Sequence, residues 1–159
     1  MSVQPPAGPD ASLTPAQVRE RVLSDHARLR GILDRVELQA GGGEASNPSE
    51  LREAGEELHR VLARHMLWED HYLAPALRNA DAWGEERVAR LRKDHLEQRA
   101  ILADNLDRLR DEARPDELLM RDLRDLVLLL RDDMEQEERD LLDPSVLRDD
   151  VVAIDLEAG

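Results

Sequence analysis

Apolar residues recur at steps of three and four along most of the chain, which is the spacing of one face of an α-helix. The last such stretch carries Leu119, Leu123, Leu126, Leu130 and Leu141 on one stripe. Leucine supplies most of the apolar side chains, phenylalanine is absent and β-branched residues are few, so helices are favoured over strands. The pattern therefore predicts an all-α protein.

Start and stop signals divide this pattern into four helices. Thr14-Pro15-Ala16-Gln17 predicts the first start, because it is a capping box with proline at the first helical position. Gly41-Gly42-Gly43 predicts the end of that helix. The other predicted helices run from Asn47-Pro48 to Pro75, from a cap at Asp81 to Arg114-Pro115, and from Asp116 to Asp143-Pro144.

Long helices with short connections predict an antiparallel up-down four-helix bundle over residues 14–147. Residues 1–13 are rich in Pro, Gly and Ala and are expected to form a disordered N-terminal arm, and residues 148–159 an acidic C-terminal tail. Neither a signal peptide nor a membrane span is predicted, so a cytoplasmic protein is expected.

Charge and composition exclude several kinds of chemistry. The formal net charge of −14 disfavours a nucleic-acid partner, which calls for a basic face. The absence of cysteine excludes disulfides and thiolate metal sites. The sequence contains no phosphate-binding loop and no nucleophile arrangement that would indicate a different reaction.

Each predicted helix carries metal-capable residues on its apolar stripe, and these residues are the candidate site. Residues four apart on a helix differ by roughly 40° in direction, so a pair at that spacing can reach one centre. The candidates are His26 in the first helix, His65 and Glu69 in the second, His95 in the third, and Asp133 and Glu137 in the fourth.

Two alignments indicate that the chain is a duplicated helical hairpin. Residues 25–33 (DHARLRGIL) match residues 94–102 (DHLEQRAIL) at an offset of 69 residues, from His26 to His95. The second helix matches the fourth at an offset of 68 residues, from His65 to Asp133. Two pseudo-symmetric hairpins would bring the six candidates into one layer, where a glutamate from each hairpin can bridge two ions of iron, manganese or zinc.

A structural salt-bridge core is the alternative to a metal. Arg30 and Arg99 lie four residues past His26 and His95 and could neutralise the buried acids. Buried charges without any partner are costly, so either a metal or such pairing is needed.

Several neighbours of the candidate residues are assigned structural roles. Asp70 and Glu138, which follow the two glutamates, are expected to face solvent or a helix end. His59 and His71 each lie six residues from His65, so both are interpreted as surface histidines.

The combination of these segments resembles the hemerythrin-like HHE cation-binding domain family over roughly residues 15–145. The resemblance is carried by His26, by His65-Met66-Leu67-Trp68-Glu69, by His95, and by Glu137-Glu138 before Leu141 and Pro144. It implies an up-down four-helix bundle around a non-haem di-iron site, with an open position for dioxygen, nitric oxide, peroxide or azide. It also implies that the three histidines are terminal ligands and that Glu69 and Glu137 are bridges.

Asp133 departs from the family pattern, which resembles His-x-x-x-Glu at this place as it does in the second helix. One interpretation is that Asp133 binds metal, giving three histidines and three carboxylates, closer to a ferritin-like site. The other is that its side chain is too short, which would leave one ion under-coordinated, labile or absent.

Three functions are compatible with these residues. The first is a di-iron protein that binds dioxygen, nitric oxide or peroxide as a sensor, carrier or scavenger. The second is an enzyme-like role, in which a carboxylate-rich site decomposes peroxide or oxidises ferrous iron. The third is an interaction module with a structural or lost metal, whose acidic surface and tail recruit a protein partner.

Overall fold

The computed structural model describes residues 13–44 and 46–149, and these residues form a bundle of four long helices without strands. The elements in chain order are α1 (Pro15–Ala40), α2 (Pro48–Trp68), a π-helical turn (Glu69–Leu73), α3 (Ala74–Arg78), α4 (Gly84–Arg110) and α5 (Asp116–Asp140). The prediction of an all-α helical bundle is confirmed. The predicted arm, apart from Leu13, and residues 150–159 of the predicted tail lie outside the described residues.

Helix starts follow the predicted capping in the first hairpin, formed by α1 and α2. The Gln17 amide donates to Thr14 Oγ1 at 3.2 Å and the Thr14 amide donates to Gln17 Oε1 at 2.9 Å, which completes the capping box. Asn47 caps α2 by accepting from the Ser49 amide at 2.9 Å. Both predicted starts are confirmed.

The predicted cap at Asp81 is wrong, because α4 begins three residues later at Gly84. Asp81 instead closes the preceding turn, where its Oδ1 accepts from the Trp83 amide at 2.8 Å. Gly84 lets α4 start directly against the end of α3. A Cβ atom at this position would lie only 2.6 Å from the carbonyl carbon of Arg78, so a side chain would force the two helices apart.

Pro75 does not end the second helix, contrary to the prediction. Helical structure continues through the π-helical turn and α3 as far as Arg78. Pro75 lies in the first turn of α3, where a backbone N–H would have no acceptor within that short helix. Its missing N–H therefore costs α3 no hydrogen bond. The wider π-helical turn before it accommodates the proline ring, which would otherwise clash with a carbonyl of the preceding turn.

Two apolar clusters fill the bundle on either side of a polar layer. The larger cluster includes Leu33, Leu58, Leu62, Leu123 and Leu130, and the smaller one includes Val22, Leu73, Leu77, Leu91 and Leu141. α1 and α4 pass from one cluster to the other through the polar layer, whereas α2 and α5 reach the smaller cluster through the segments that follow them. The polar layer comprises His26, His65, Glu69, His95, Asp133 and Glu137.

The chain after α5 seals the smaller cluster. Leu142 and Leu147 are fully buried there, and the Leu142 carbonyl accepts from Arg19 Nε at 2.6 Å. Every helix among the described residues is too short or too polar to cross a lipid bilayer.

Candidate metal centre

Four of the six predicted site residues form a tight group in the middle of the polar layer. One donor atom each from His26, His65, Glu69 and Glu137 lies within 4.8 Å of the other three. His26 Nε2 is 3.2 Å from Glu137 Oε1, and His65 Nε2 contacts Glu69 Oε1. The group joins α1, α2, the π-helical turn and α5.

His95 and Asp133 lie at the edge of this group, where α4 faces α5. The buried His95 ring has its Nε2 4.0 Å from Glu69 Oε2. Asp133 is half-buried, and its Oδ2 accepts from Gln98 Nε2 at 2.8 Å. Burial raises the pKa of Asp133, while the bond from Gln98 opposes this increase. Gln98 was not identified from the sequence.

A carboxylate and an arginine lie behind the His26 ring. His26 Nδ1 is 3.4 Å from Glu138 Oε1, and Arg30 donates to the same carboxylate with an N–O distance of 2.6 Å. The Arg30 guanidinium holds the pKa of Glu138 below its usual value. The expectation that Glu138 faces solvent or a helix end is wrong.

The His95 ring, in the second hairpin formed by α4 and α5, has two equivalent partners: Arg99 of its own helix and Asp70 of the π-helical turn after α2. His95 Nδ1 is 2.7 Å from Asp70 Oδ1, and Arg99 donates to Asp70 Oδ2 at 2.6 Å. The expectation for Asp70 is therefore wrong as well. The internal repeat contained a signal for both contacts, because an acid follows each glutamate and an arginine follows each histidine by four residues.

These contacts weigh against a salt-bridge core. Arg30 and Arg99 bind the outer acids Glu138 and Asp70, and no arginine in the described part of the chain forms a salt bridge with Glu69 or Glu137. Glu69 Oε2 and Glu137 Oε1 are buried without a hydrogen-bond partner in that part of the chain. Unpartnered carboxylate oxygens facing imidazole nitrogens fit a cation better than an ionic core.

The pKa shifts of Glu69 and Glu137 also indicate two buried carboxylates without a cation to neutralise them. Burial, together with the nearby Glu137 carboxylate, raises the pKa of Glu69 well above its ordinary value. Burial also favours the neutral form of Glu137, but its contacts with His26 and Glu69 outweigh that effect and lower its pKa. One carboxylate is thus ionised at the expense of the other, and a cation between them would let both ionise.

His65 is oriented from behind by Asp25, whose Oδ2 lies 3.3 Å from His65 Nδ1. Burial opposes a charge on the His65 ring, but the carboxylates of Asp25 and Glu69 outweigh it and raise the pKa of His65 to about 10. An acid behind the ring fixes which nitrogen faces the centre, and such pairing also strengthens imidazole as a ligand.

The backbone widens at Glu69, whose carbonyl accepts from the Ala74 amide five residues on, within a continuing helix. Glu137 lies near the end of α5, where its carbonyl accepts from the Leu141 amide at 2.8 Å, as in an α-helix, and from the Leu142 amide at 3.1 Å. Turns of the π type are frequent at functional sites, and the periodic pattern does not reveal the one at Glu69.

Two openings adjoin the polar layer. An inner cavity of about 20 Å³ lies between the imidazoles and apolar side chains that include Leu33, Leu58 and Leu130. An outer cleft of about 150 Å³ lies between α4 and α5 and includes the acidic residues Asp94 and Glu97. Both openings are lined by Gln98, Asp133 and Glu137, so the Gln98–Asp133 hydrogen bond lies between them.

The two remaining histidines have different environments. His71 is exposed, as predicted. His59 is buried, contrary to prediction, and its Nε2 is 2.8 Å from Asn105 Oδ1. Burial lowers the pKa of His59, so this ring is a neutral core residue away from the candidate centre.

Comparison with known families places this geometry in context. The hemerythrin HHE cation binding domain matches residues 17–143, so the chain belongs to that family. No curated protein and no solved structure gives a significant match to the chain. Membership in a cation-binding family and a His/Glu group able to hold a metal together indicate metal binding.

Proposed function

We propose that this member of the hemerythrin HHE cation-binding family holds two bridged iron ions and binds dioxygen, nitric oxide or peroxide at an open position. The observation that carries the proposal is the buried group of His26, His65, Glu69 and Glu137, whose donor atoms lie within 4.8 Å of one another. Manganese or zinc could occupy the same nitrogen and oxygen donors. Zinc has no redox chemistry, so it is less suited than iron or manganese to binding dioxygen, nitric oxide or peroxide.

The roles of the residues follow from their positions. His26, His65 and His95 would be terminal ligands, and Glu69 and Glu137, one from each hairpin, would bridge. When bound, iron would supply the redox-active centre that attracts such small ligands. The chain's own part is to orient the three imidazoles, because the acid that contacts each Nδ1 leaves Nε2 facing the centre.

The inner cavity limits the size of a ligand. Its volume of about 20 Å³ is close to the roughly 10–15 Å³ that one water molecule requires, so diatomic molecules and peroxide fit and larger substrates do not. Leucines line most of the wall opposite the imidazoles, so the chain keeps that side dry. A dry, small pocket beside buried donors favours binding of small ligands over chemistry on large molecules.

Asp133 would serve at the entrance to this cavity or as a sixth donor. Its Oδ2 is occupied by Gln98, but its Oδ1 is free to face the outer cleft or the centre. The outer cleft carries Asp94 and Glu97 next to Asp133, and such a lining attracts cations. This acidic path favours a second candidate function, in which ferrous iron enters through the cleft and is oxidised.

One preparation distinguishes these functions. Protein from iron-replete growth should contain about two irons per chain, and its visible spectrum should change on adding azide or peroxide. Catalytic loss of peroxide, or oxidation of added ferrous iron beyond two per chain, would select the enzymatic candidate. A colourless, metal-free protein would contradict both and leave an interaction module. Glu135→Gln, at an exposed position on α5, is the matched control for variants of the centre.

A further inference from the structure

A pocket on the α1–α2 face carries positive charge on an otherwise acidic protein. Its volume is about 220 Å³, and its charged lining comprises Arg21, Arg28, Arg64 and Asp25, together with His65 and Trp68. We refer to it as the α1–α2 pocket. It lies on the Asp25 side of His65, whereas the candidate metal group lies on the Glu69 side of the same ring.

Two of its three arginines lack a counterion among the described residues. Arg21 pairs with Asp25, with an Nε–Oδ1 distance of 3.2 Å. Arg28 and Arg64 are exposed and make no salt bridge or hydrogen bond to a carboxylate in the part of the chain that the structure describes. Two unneutralised guanidinium groups therefore flank one concave surface on a chain whose formal net charge is −14.

Trp68 adds to the donor character of the pocket. The Arg21 guanidinium lies 5.3 Å from the centre of the Trp68 ring, so the arginine is held over an aromatic face. Trp68 Nε1 is buried and has no hydrogen-bond partner within residues 13–44 and 46–149. Guanidinium and indole groups only donate hydrogen bonds, and Asp25 already has Arg21 and His65 as partners. A ligand here must therefore supply acceptors.

We propose that the α1–α2 pocket binds a small oxyanion of the phosphate class, held by Arg28 and Arg64 with Arg21 and Trp68 at the wall. Arginine forks match the oxygens of phosphate in pairs, and such charge-assisted bonds are strong. The volume suits a phosphate or a small phosphate ester rather than a protein segment. The net charge opposes binding to anionic membranes or nucleic acid.

The two tryptophans allow a direct test. Trp83 is 61% exposed at the start of α4, whereas Trp68 lines the pocket. Trp83→Phe therefore leaves Trp68 as the single tryptophan, which can be excited selectively over tyrosine. Titration of the full chain with inorganic phosphate should give a saturable change in Trp68 emission, and potassium chloride at equal ionic strength should not. A linear change, or the same change with chloride, would overturn the proposal.

Charge-matched variants locate the site. Arg28→Gln with Arg64→Gln should weaken phosphate binding by about tenfold or more, because both unpaired guanidinium groups are lost. Arg92→Gln with Arg124→Gln removes the same charge from exposed arginines of the second hairpin and should leave the affinity unchanged. Equal weakening of phosphate binding in both double variants would show a general charge effect and would contradict the proposal. Circular dichroism checks folding, and Arg64→Lys provides a milder variant if the double substitution unfolds.

A parallel titration identifies the source of the anion. Tighter binding of glycerol phosphate than of inorganic phosphate would point to a phosphate ester as the occupant, and the reverse order would point to the free ion. The measurement uses metal-free protein, so its result is independent of whether iron binds.

Discussion

The two hairpins of this protein surround one centre with matching contacts, except at one position. The histidine on the first long helix of each hairpin contacts a glutamate of the other hairpin with Nε2 and the acid after that glutamate with Nδ1. An arginine four residues after the histidine binds the same acid. The glutamate carbonyls also accept from the fifth amide on in both hairpins. The contacts that position His26 and Glu137 are therefore matched by those that position His95 and Glu69.

The difference lies at His65 and Asp133. His65 is backed by Asp25, an acid that orients an imidazole. Asp133 is held instead by Gln98, an amide that suits a carboxylate, while Leu29 occupies the position equivalent to Gln98. The second hairpin thus differs in both the residue and its partner, and Gln98 provides the carboxylate with a hydrogen-bond donor that a leucine could not.

A second difference between the hairpins is a buried, hydrogen-bonded polar pair next to the larger apolar cluster. His59 on α2 pairs with Asn105 on α4. The positions equivalent by the repeat are Val127 and Val36, and both are buried in the larger cluster. One interface between hairpins thus carries a hydrogen-bonded pair where its counterpart carries apolar side chains.

The largest expected effect tests the equivalence of the two glutamates. Glu69→Gln and Glu137→Gln should each lower metal affinity by about 100-fold or more, because each removes a carboxylate ligand and its charge. Elemental analysis after iron loading measures the loss, with Glu135→Gln as control. In metal-free protein, Glu69→Gln should not lower the free energy of unfolding, because burial already raises the pKa of that carboxyl. Full iron content in either variant would contradict the bridging role.

The outer acids should also behave alike. Asp70→Asn and Glu138→Gln should each weaken metal binding by about 10- to 100-fold, because each loosens an imidazole from behind. Competition with a chelator measures the affinity, and Asp125→Asn at an exposed position is the control. An effect in only one of the two variants would break the symmetry that their contacts indicate.

Asp133→His tests the difference itself. The substitution places an imidazole at the position equivalent to His65, near Asp94 as His65 is near Asp25. We expect metal affinity to rise by about tenfold and the visible bands of the iron-loaded protein to shift. Gln98→Leu, which introduces the residue found at the equivalent Leu29, separates the loss of the hydrogen bond from the gain of the imidazole. Unchanged metal content and spectrum in Asp133→His would place Asp133 outside the metal's ligands.

The smallest effect concerns His59. Burial lowers the pKa of His59 despite the bond with Asn105 and the nearby Glu56 charge, and Arg110 acts in the same direction as burial. The unfolded chain therefore binds more protons at this site below pH about 6.5, so stability falls as the pH falls through that value. His59→Val with Asn105→Val should reduce this fall, measured by urea unfolding at pH 7 and pH 5. An identical pH dependence in both proteins would show that the pKa of His59 is the same in the folded and the unfolded chain.

Much of the fold could be predicted because its signals are local. The Thr14 capping box, the Asn47 cap and the leucine stripes act within a turn or two of helix, and the structure agrees with them. The predictions for Asp81 and Pro75 are wrong because the effect of each residue on where a helix begins or ends depends on the turn and the helix next to it. α4 can begin directly against the end of α3 only because residue 84 is glycine, and no local pattern states that contact.

The sequence by itself determined which residues share the polar layer, because helical periodicity fixes the direction of a side chain from its own helix. It also contained the duplication that relates His26 to His95 and Glu69 to Glu137. Only the tertiary structure decided the partners across helices: Asp70 behind His95, Glu138 behind His26 and Gln98 on Asp133. Those contacts depend on distances between helices and on the widened turn at Glu69, which shifts the direction of the residues after it relative to a regular α-helix.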